Sequence, residues 1–383
     1  MTNPKRKKLV HIYPASGGNN VLYISTIVKA LESNFEQVAF VSSVSPLKQK
    51  FLKRWLHPFT DRFKANGYIT GIIRYPIRFI EFISVFAGIY FYCISKKVDY
   101  LNLSTATLLP VELNFVKALK RKNIKVIYTV HDAEQFAVGY KRMSADKRKT
   151  FYNVFNYIIV HNEFSKTYLE ENFSVNSKVF LSFPFPPMNL AEINVSRYKR
   201  SQFERTFLFI GAFKKEKGYN VLLQAWQEIF GKNDSPHKAK LILAGQLPKG
   251  IEFLVDKNMP LPNNVTIITR FLSDEEYIDF VNNADIVVLP YIVGTNSAVL
   301  STSVSMGKVI ITSDIPSLKT HPLVLKENIV KANSVESLRD KIVEFLELTN
   351  IELEHKKKLQ QEQFDKYTQI FNTQTQIAFK ELV

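Results

Sequence analysis

Short apolar runs alternate with stretches of helical periodicity along the whole chain. Lys8–Tyr13 (KLVHIY) reads as a strand, followed by Gly17-Gly18 and an apolar-periodic helix to about Leu31. Gln37–Val41, Tyr100–Leu103, Lys125–Val130, Tyr157–His161 and Lys178–Ser182 read as further strands, with helical patterns between them. Repeated strand–helix units predict parallel strands joined by right-handed crossovers, the doubly wound α/β architecture. Phe183-Pro184-Phe185-Pro186-Pro187 then breaks regular structure, and a polar stretch runs to Arg205. The alternation restarts with Thr206–Ile210, Lys240–Ala244, Val265–Ile268, Asp285–Leu289 and Val309–Thr312. Two Rossmann-like domains are therefore expected, residues 1–185 and 204–350, with the boundary near 183–204. A long polar helix over 351–383 has no strand to pair with and is expected to cross back onto the first domain.

Two segments of the first half break this rhythm. In 47–64, Leu47, Phe51, Leu52, Trp55, Leu56, Phe59 and Phe63 recur at helical spacing among Lys48, Lys50, Lys53, Arg54, Arg62 and Lys64. That pattern predicts a basic amphipathic helix lying in a membrane interface, interrupted at Pro58. The uncharged run Phe82–Ile94 is shorter than the ~20 residues that span a bilayer, and it predicts a buried helix.

Charge sharpens the membrane expectation. The 383 residues carry a net charge of +16, unevenly placed. Residues 1–200 hold 30 Lys+Arg against 13 Asp+Glu, and the remainder holds 21 against 22. One basic half beside a neutral half predicts that the first domain faces an anionic surface or ligand. With no signal-peptide pattern in Met1–Tyr13, the expected location is cytoplasmic, peripheral on the inner face of the membrane. Apolar content of 46% excludes a disordered chain. The single cysteine, Cys93, excludes an intrachain disulfide and a cysteine zinc site. No RNA- or DNA-recognition motif is legible, so no nucleic-acid partner is expected.

Candidate chemistry concentrates in the second half. A strand ends at Gly211, and the basic loop Lys214-Lys215-Glu216-Lys217-Gly218 follows, suited to phosphate oxygens. The strand Asp285–Leu289 ends at Pro290-Tyr291, and Gly294-Thr295-Asn296-Ser297 leads into the next helix, where Asn296 or Ser297 is expected as the cap. Such a run beyond a strand's carboxyl end is where open α/β sheets bind ligands. No Asp-x-Asp pair, Walker A loop, Gly-x-Gly-x-x-Gly or Gly-x-Ser-x-Gly occurs.

The ordered set Gly211…Lys217-Gly218, Leu241–Gly245, Asn264-Val265…Phe271-Leu272-Ser273-Asp274-Glu275-Glu276, Ala284-Asp285…Leu289-Pro290 and Gly307-Lys308-Val309-Ile310 resembles the nucleotide-sugar domain of glycosyltransferase family 4. The detailed likeness covers about Thr206 to Leu318. In the first half it rests on Gly17-Gly18 and Thr129-Val130-His131-Asp132. The resemblance implies a GT-B fold, two Rossmann-like domains facing a cleft, and retaining sugar transfer from a nucleoside-diphosphate sugar. It implies no cofactor and no metal, with a lipid-linked or cell-surface glycan as acceptor, as in polysaccharide biosynthesis. It assigns Lys217 to the donor diphosphate, with Gly211 and Lys214 beside it. Thr295, Asn296, Ser297, Ala298 and Val299 would form the helix start that receives the phosphates, with Gly294 at its entrance. Phe271 and Leu272 would lie beside the base, His131 near the transferred sugar, and Gly17 and Gly18 opposite the donor. His161 is a second candidate on the rim of His131, and His11 is expected to be structural. Three positions depart from the family: Ala212 stands where Arg is usual, and Gly294 and Thr302 where two Glu are usual. A second reading is therefore a catalytically degenerate GT-B subunit that supports an active partner.

Overall fold

The computed structural model describes residues 6–13, 18–42, 49–56, 71–104, 110–131, 133, 144–189, 205–231, 235–248, 261–294 and 297–383. These form two compact units, residues 1–186 with 370–383, and residues 187–369.

In the first unit, strands β1 (Lys7–Tyr13), β2 (Phe35–Ser42), β3 (Leu52–Leu56), β4 (Tyr100–Leu103), β5 (Lys125–Thr129), β6 (Tyr157–Val160) and β7 (Phe180–Ser182) make one sheet, all parallel, in the order β3-β2-β1-β4-β5-β6-β7. Helices α1 (Gly18–Ala30), α2 (Gly71–Ser95), α3 (Pro110–Arg121), α4 (Ala145–Tyr152) and α5 (Glu163–Phe173) connect them. The strands are near-continuous apolar runs because helices cover both faces of a parallel sheet. Val10, Ile12, Leu101, Leu103 and Val126 pack with Phe86, Phe115, Val116 and Leu119 of α2 and α3 in one core.

A buried polar chain crosses the middle of this sheet. Thr129 Oγ1 donates to Asn102 Oδ1 (2.9 Å), Asn102 Nδ2 donates to His11 Nδ1 (3.3 Å), and His11 Nε2 meets Gln37 Oε1 (3.1 Å). Gln37 Nε2 ends the chain on the carbonyl of Val28 (2.9 Å). These partners fix His11 as the neutral tautomer protonated at Nε2, and burial lowers its pKa to about 4. His11 is thus a structural residue, as expected.

The second unit contains β8 (Arg205–Ile210), β9 (Ala239–Ala244), β10 (Val265–Ile268), β11 (Ile286–Leu289), β12 (Val309–Ser313) and β13 (Ile329–Val330), all parallel, in the order β10-β9-β8-β11-β12-β13. Its helices are α6 (Tyr219–Phe230), α7 (Asp274–Asn283), α8 (Ala298–Ser305), the short α9 (Pro316–Lys319), α10 (Val335–Glu347) and α11 (Asn350–Lys380). Alternate residues of each strand face opposite layers. Phe207, Phe209, Leu241, Leu243, Ile286 and Val288 pack with Trp226 of α6 and Phe345 of α10. Leu208, Ile210, Ile242, Val287 and Leu289 pack with Val281 of α7, Leu300 of α8 and Phe364 of α11. The Ser273 side chain and Glu276 form a reciprocal capping box that starts α7.

Helix α11 is shared. Leu353, Gln360, Phe364 and Tyr367 are buried in the second unit, whereas Phe371, Thr375 and Phe379 are buried in the first. Phe379 meets Phe35 at 5.9 Å and Phe183 at 6.0 Å between ring centroids. The carbonyl of Leu382 accepts from Lys7 Nζ (2.8 Å) and from the Tyr100 hydroxyl (2.9 Å).

Two expectations are corrected here. Where 47–64 is described, residues 52–56 form no helix but the edge strand β3, which pairs parallel with β2 at Ala39↔Leu52 and Phe40↔Lys53. Trp55 packs on Phe40 (4.9 Å) and Tyr92 (6.0 Å), and this lateral pairing outweighs the helical spacing of the apolar residues. Residues 47, 48 and 57–64 lie outside the described residues. The run Phe82–Ile94 is helical, but it belongs to the 25-residue α2, and of an 18-residue window within Pro76–Ser95 only 22% is buried. The helix packs one side on the sheet, and its other side is exposed.

Candidate functional site

The order of the second sheet reverses between β8 and β11, and the loops that follow these two strands flank that switch point. The loop after β8 begins at Gly211, whose N–H donates to the carbonyl of Ala244 at the end of β9 (2.9 Å). Gly245 holds φ +154°, and a Cβ there would stand 1.8 Å from the carbonyl oxygen of Gly211, so only glycine permits this approach. A single 3-10 turn, Lys215–Lys217, follows Lys214 and closes at Gly218 in the left-handed region, φ +66°. A Cβ on Gly218 would lie 1.9 Å from the carbonyl oxygen of Pro290, so the β8 loop is pressed against the β11 loop. The carbonyl of Glu216 accepts from Ile292 N–H (2.9 Å) and joins the two loops directly.

Tyr291 ties the parts of this site together. The Lys217 ammonium sits 3.7 Å from the centroid of its ring, a cation–π contact. The Tyr291 hydroxyl meets Ser297 Oγ (3.3 Å), and its carbonyl accepts from the Ser313 hydroxyl at the end of β12. Ser297 is the cap of α8: its Oγ accepts from Leu300 N–H (3.2 Å). The N–H groups of Ala298 and Val299 open the helix, where no intrahelical acceptor exists, and the helix dipole adds positive potential. Lys217, Ser297, Ala298 and Val299 thus gather through Tyr291 at the carboxyl ends of β8 and β11. An ammonium group and first-turn amides at one place suit an anion such as a diphosphate. Sequence reasoning missed the part played by Tyr291; its only signal is an aromatic placed directly after the strand-ending proline.

The other second-unit candidates distribute as follows. Lys214 precedes the 3-10 turn and is half-buried; its N–H donates to the carbonyl of Ala212 (2.9 Å). Gly294 is half-buried, its carbonyl accepts from Ser317 Oγ (2.6 Å), and a Cβ added there would meet nothing closer than 3.8 Å. Thr302 is fully buried: its hydroxyl donates back to the carbonyl of Ala298 (2.9 Å) and meets the Tyr277 hydroxyl (2.6 Å). Its side chain is absorbed by the protein and is not presented to a ligand. Phe271 follows β10, two strands from β8, and is 71% exposed, whereas Leu272 packs on the core. Thr295 and Asn296 lie outside the described residues.

In the first unit, His131 follows β5 and His161 follows β6, in a cluster of rings. His131 stands edge-on to Tyr23 (4.9 Å) and Tyr13 (5.9 Å), and 6.4 Å from His161. His161 Nδ1 lies 3.2 Å from the carbonyl of Phe183, an acceptor only, so Nδ1 carries the proton. Its Nε2 then accepts from the Tyr23 hydroxyl at 2.6 Å. Burial first, and the neighbouring His131 second, lower the His161 pKa to about 3. His161 is therefore a neutral scaffold for Tyr23, while His131 is half-buried at the edge of the cluster. Gly18 opens α1; Gly17 and Asp132 lie outside the described residues.

Comparisons with known proteins bear on the fold. Residues 204–348 match the family model described as Glycosyl transferases group 1, and residues 105–181 match that of the Glucosyltransferase 3-like, N-terminal domain. Sucrose-phosphate synthase from Thermosynechococcus elongatus superposes with a TM-score of 0.64 at 15% identity, over 98% of this chain and 99% of that one. A glycosyltransferase from Rickettsia africae gives 0.60 at 14%, over 99% of each chain. Anabaena HepE, in complex with UDP and glucose, gives 0.62 at 12%, over 98% and 99%. No curated protein matches the sequence. The chain has the GT-B fold, with a glycosyltransferase-like domain in its second unit.

Proposed function

We propose that the protein is a retaining glycosyltransferase that moves a sugar from a nucleoside-diphosphate sugar to a lipid-linked or cell-surface glycan. One observation carries the reading: Lys217, held over Tyr291, shares the switch point of the second sheet with the Ser297-capped start of α8. As the anomeric bond breaks, negative charge develops on the leaving diphosphate. Lys217 and the amides of Ala298 and Val299 stabilise that charge where they stand, without reorganisation. The leaving phosphate takes the acceptor proton, so no separate carboxylate base is needed. The family resemblance assigns His131 to the transferred sugar. The chain has no Asp-x-Asp pair to bridge a metal to the diphosphate, so the lysine and the helix start serve in its place. Anabaena HepE, which shares the fold, is described as binding UDP and glucose, and this favours a uridine nucleotide as the first donor to test.

A second reading, a GT-B subunit that binds and supports an active partner, draws on Ala212, Gly294 and the buried Thr302. Incubating the purified chain with UDP-, GDP- and ADP-sugars, with released nucleotide as readout, separates the two. Sugar transfer predicts release with at least one donor. Nucleotide binding without release from any donor or acceptor supports the subunit.

A further inference from the structure

Helix α2 carries two unlike faces. Phe86, Ile89 and Cys93 are buried in the first unit's core and hold the helix against the sheet. On the other side Phe79, Ile80, Ile83, Ala87, Phe91 and Ile94 are exposed, Ile80 at 65% and Phe91 at 69%. These positions fall on one stripe of the helix, about 22 Å long at 1.5 Å per residue. Glu81 is the one charged residue from Phe79 to Ser95, and it is buried. Trp55, 44% exposed on the edge strand β3, extends the apolar surface. With Ile77, Ile80 and Val85 it lines a groove of about 480 Å³ that Arg54 borders. Basic residues frame the stripe: Arg78 at one end, Lys96 and Lys97 at the other, and Arg54 at the side, all exposed.

We propose that this face docks the first unit onto an anionic lipid bilayer, with α2 lying in the boundary between headgroups and acyl chains. The inner face of α2 is fixed in the core, so the helix lies on the membrane and does not cross it. Charge complementarity selects the partner. If two copies paired through the stripe, Arg78, Lys96 and Lys97 would meet like charges in either relative orientation. An anionic lipid surface meets them with opposite charge, and the +17 excess of residues 1–200, 30 basic against 13 acidic, adds long-range attraction. The docking stands apart from the sugar-transfer reading and needs no nucleotide.

Co-sedimentation of the full chain with vesicles tests it, without any sugar donor. Wild-type protein is expected to pellet with mixed phosphatidylglycerol–phosphatidylcholine vesicles at low salt, and less with phosphatidylcholine alone. Ile80→Gln with Phe91→Gln is expected to lower the partition coefficient about tenfold or more, because two exposed apolar side chains no longer enter the interface. Arg78→Gln with Lys96→Gln is expected to weaken binding at low salt and to shrink its salt-sensitive part, leaving the salt-resistant part unchanged. Ala87→Asp, a single change on the same stripe, keeps the test decisive should the double variant lose its circular dichroism. Wild-type protein that stays in the supernatant at low salt overturns the proposal, as does a stripe variant that binds like wild type. A wild-type dimer in sedimentation equilibrium that the stripe variants dissociate would assign the face to a second copy instead.

Discussion

The roles of Tyr291 and His161 rest on contacts with Lys217 and Tyr23, and neither contact was legible in the sequence because the partners are remote in the chain. Lys217 lies far from Tyr291 in sequence yet 3.7 Å from its ring centroid, and Tyr23 reaches His161 across 138 positions. The lysine and the helix start were legible, because a basic loop after a strand glycine and a polar run before a helix are local patterns. The two neutral imidazoles carry a pH consequence. His11 and His161 fold with pKa values lowered to about 4 and about 3, against 6.5 in the unfolded chain. Above pH 6.5 neither state takes up these protons, and stability does not depend on them. Below it the unfolded chain binds protons that the folded chain refuses, so stability falls as the pH falls towards those lowered values. Each histidine contributes roughly 1.4 kcal/mol per pH unit, and burial lowers His321 to about 4 in the same way, so urea unfolding of the chain is expected to lose roughly 4 kcal/mol between about pH 7.5 and 5.5. An unchanged unfolding free energy would contradict the neutral assignment.

Among the elements, most strands were legible, the two-residue β13 was not read, and the two misread segments were both on the edge of the first sheet. Tyr100–Leu103 and Val265–Ile268 coincide with their expected bounds because short apolar runs between turn residues have few other uses. Leu52, Trp55 and Leu56 satisfy a helical spacing as well as an edge strand, and the contact with Phe40 decides between them. In α2 the lack of charge signalled burial, but which apolar residues a sheet edge covers is a property of the layers and not of the run. The loop elements of the candidate site rest on close backbone approach that no local pattern announces. Gly218→Ala must both occupy a left-handed φ and displace the Pro290 carbonyl, which stands 1.9 Å from the new Cβ. It is expected to destabilise the second unit by about 2 kcal/mol or more and to loosen the contact between the β8 and β11 loops. Thermal unfolding of the variant checks the first effect, and weaker nucleotide binding the second. A variant with wild-type midpoint and affinity would show that the loops are not pressed together.

At the scale of the molecule, the restart of the strand–helix pattern near Arg205 signalled two sheets, and the two sheets are present, each with its own order and core. The charge split follows the same division, with the neutral half carrying the candidate anion site and the basic half carrying the α2 stripe. Since lysine and amides meet the diphosphate in this account, nucleotide release by the active donor should persist in EDTA. Loss of release with chelator, restored by Mn²⁺ or Mg²⁺, would contradict that chemistry. The most direct test is calorimetric titration of the nucleoside diphosphate, UDP first, into wild-type protein and Lys217→Ala. Removal of one charge-assisted contact of about 1.5–3 kcal/mol predicts binding weaker by about tenfold to a hundredfold, with an unchanged circular dichroism spectrum. Equal affinity in the two proteins would contradict the account, because the diphosphate would then not meet Lys217 at the switch point of the second sheet.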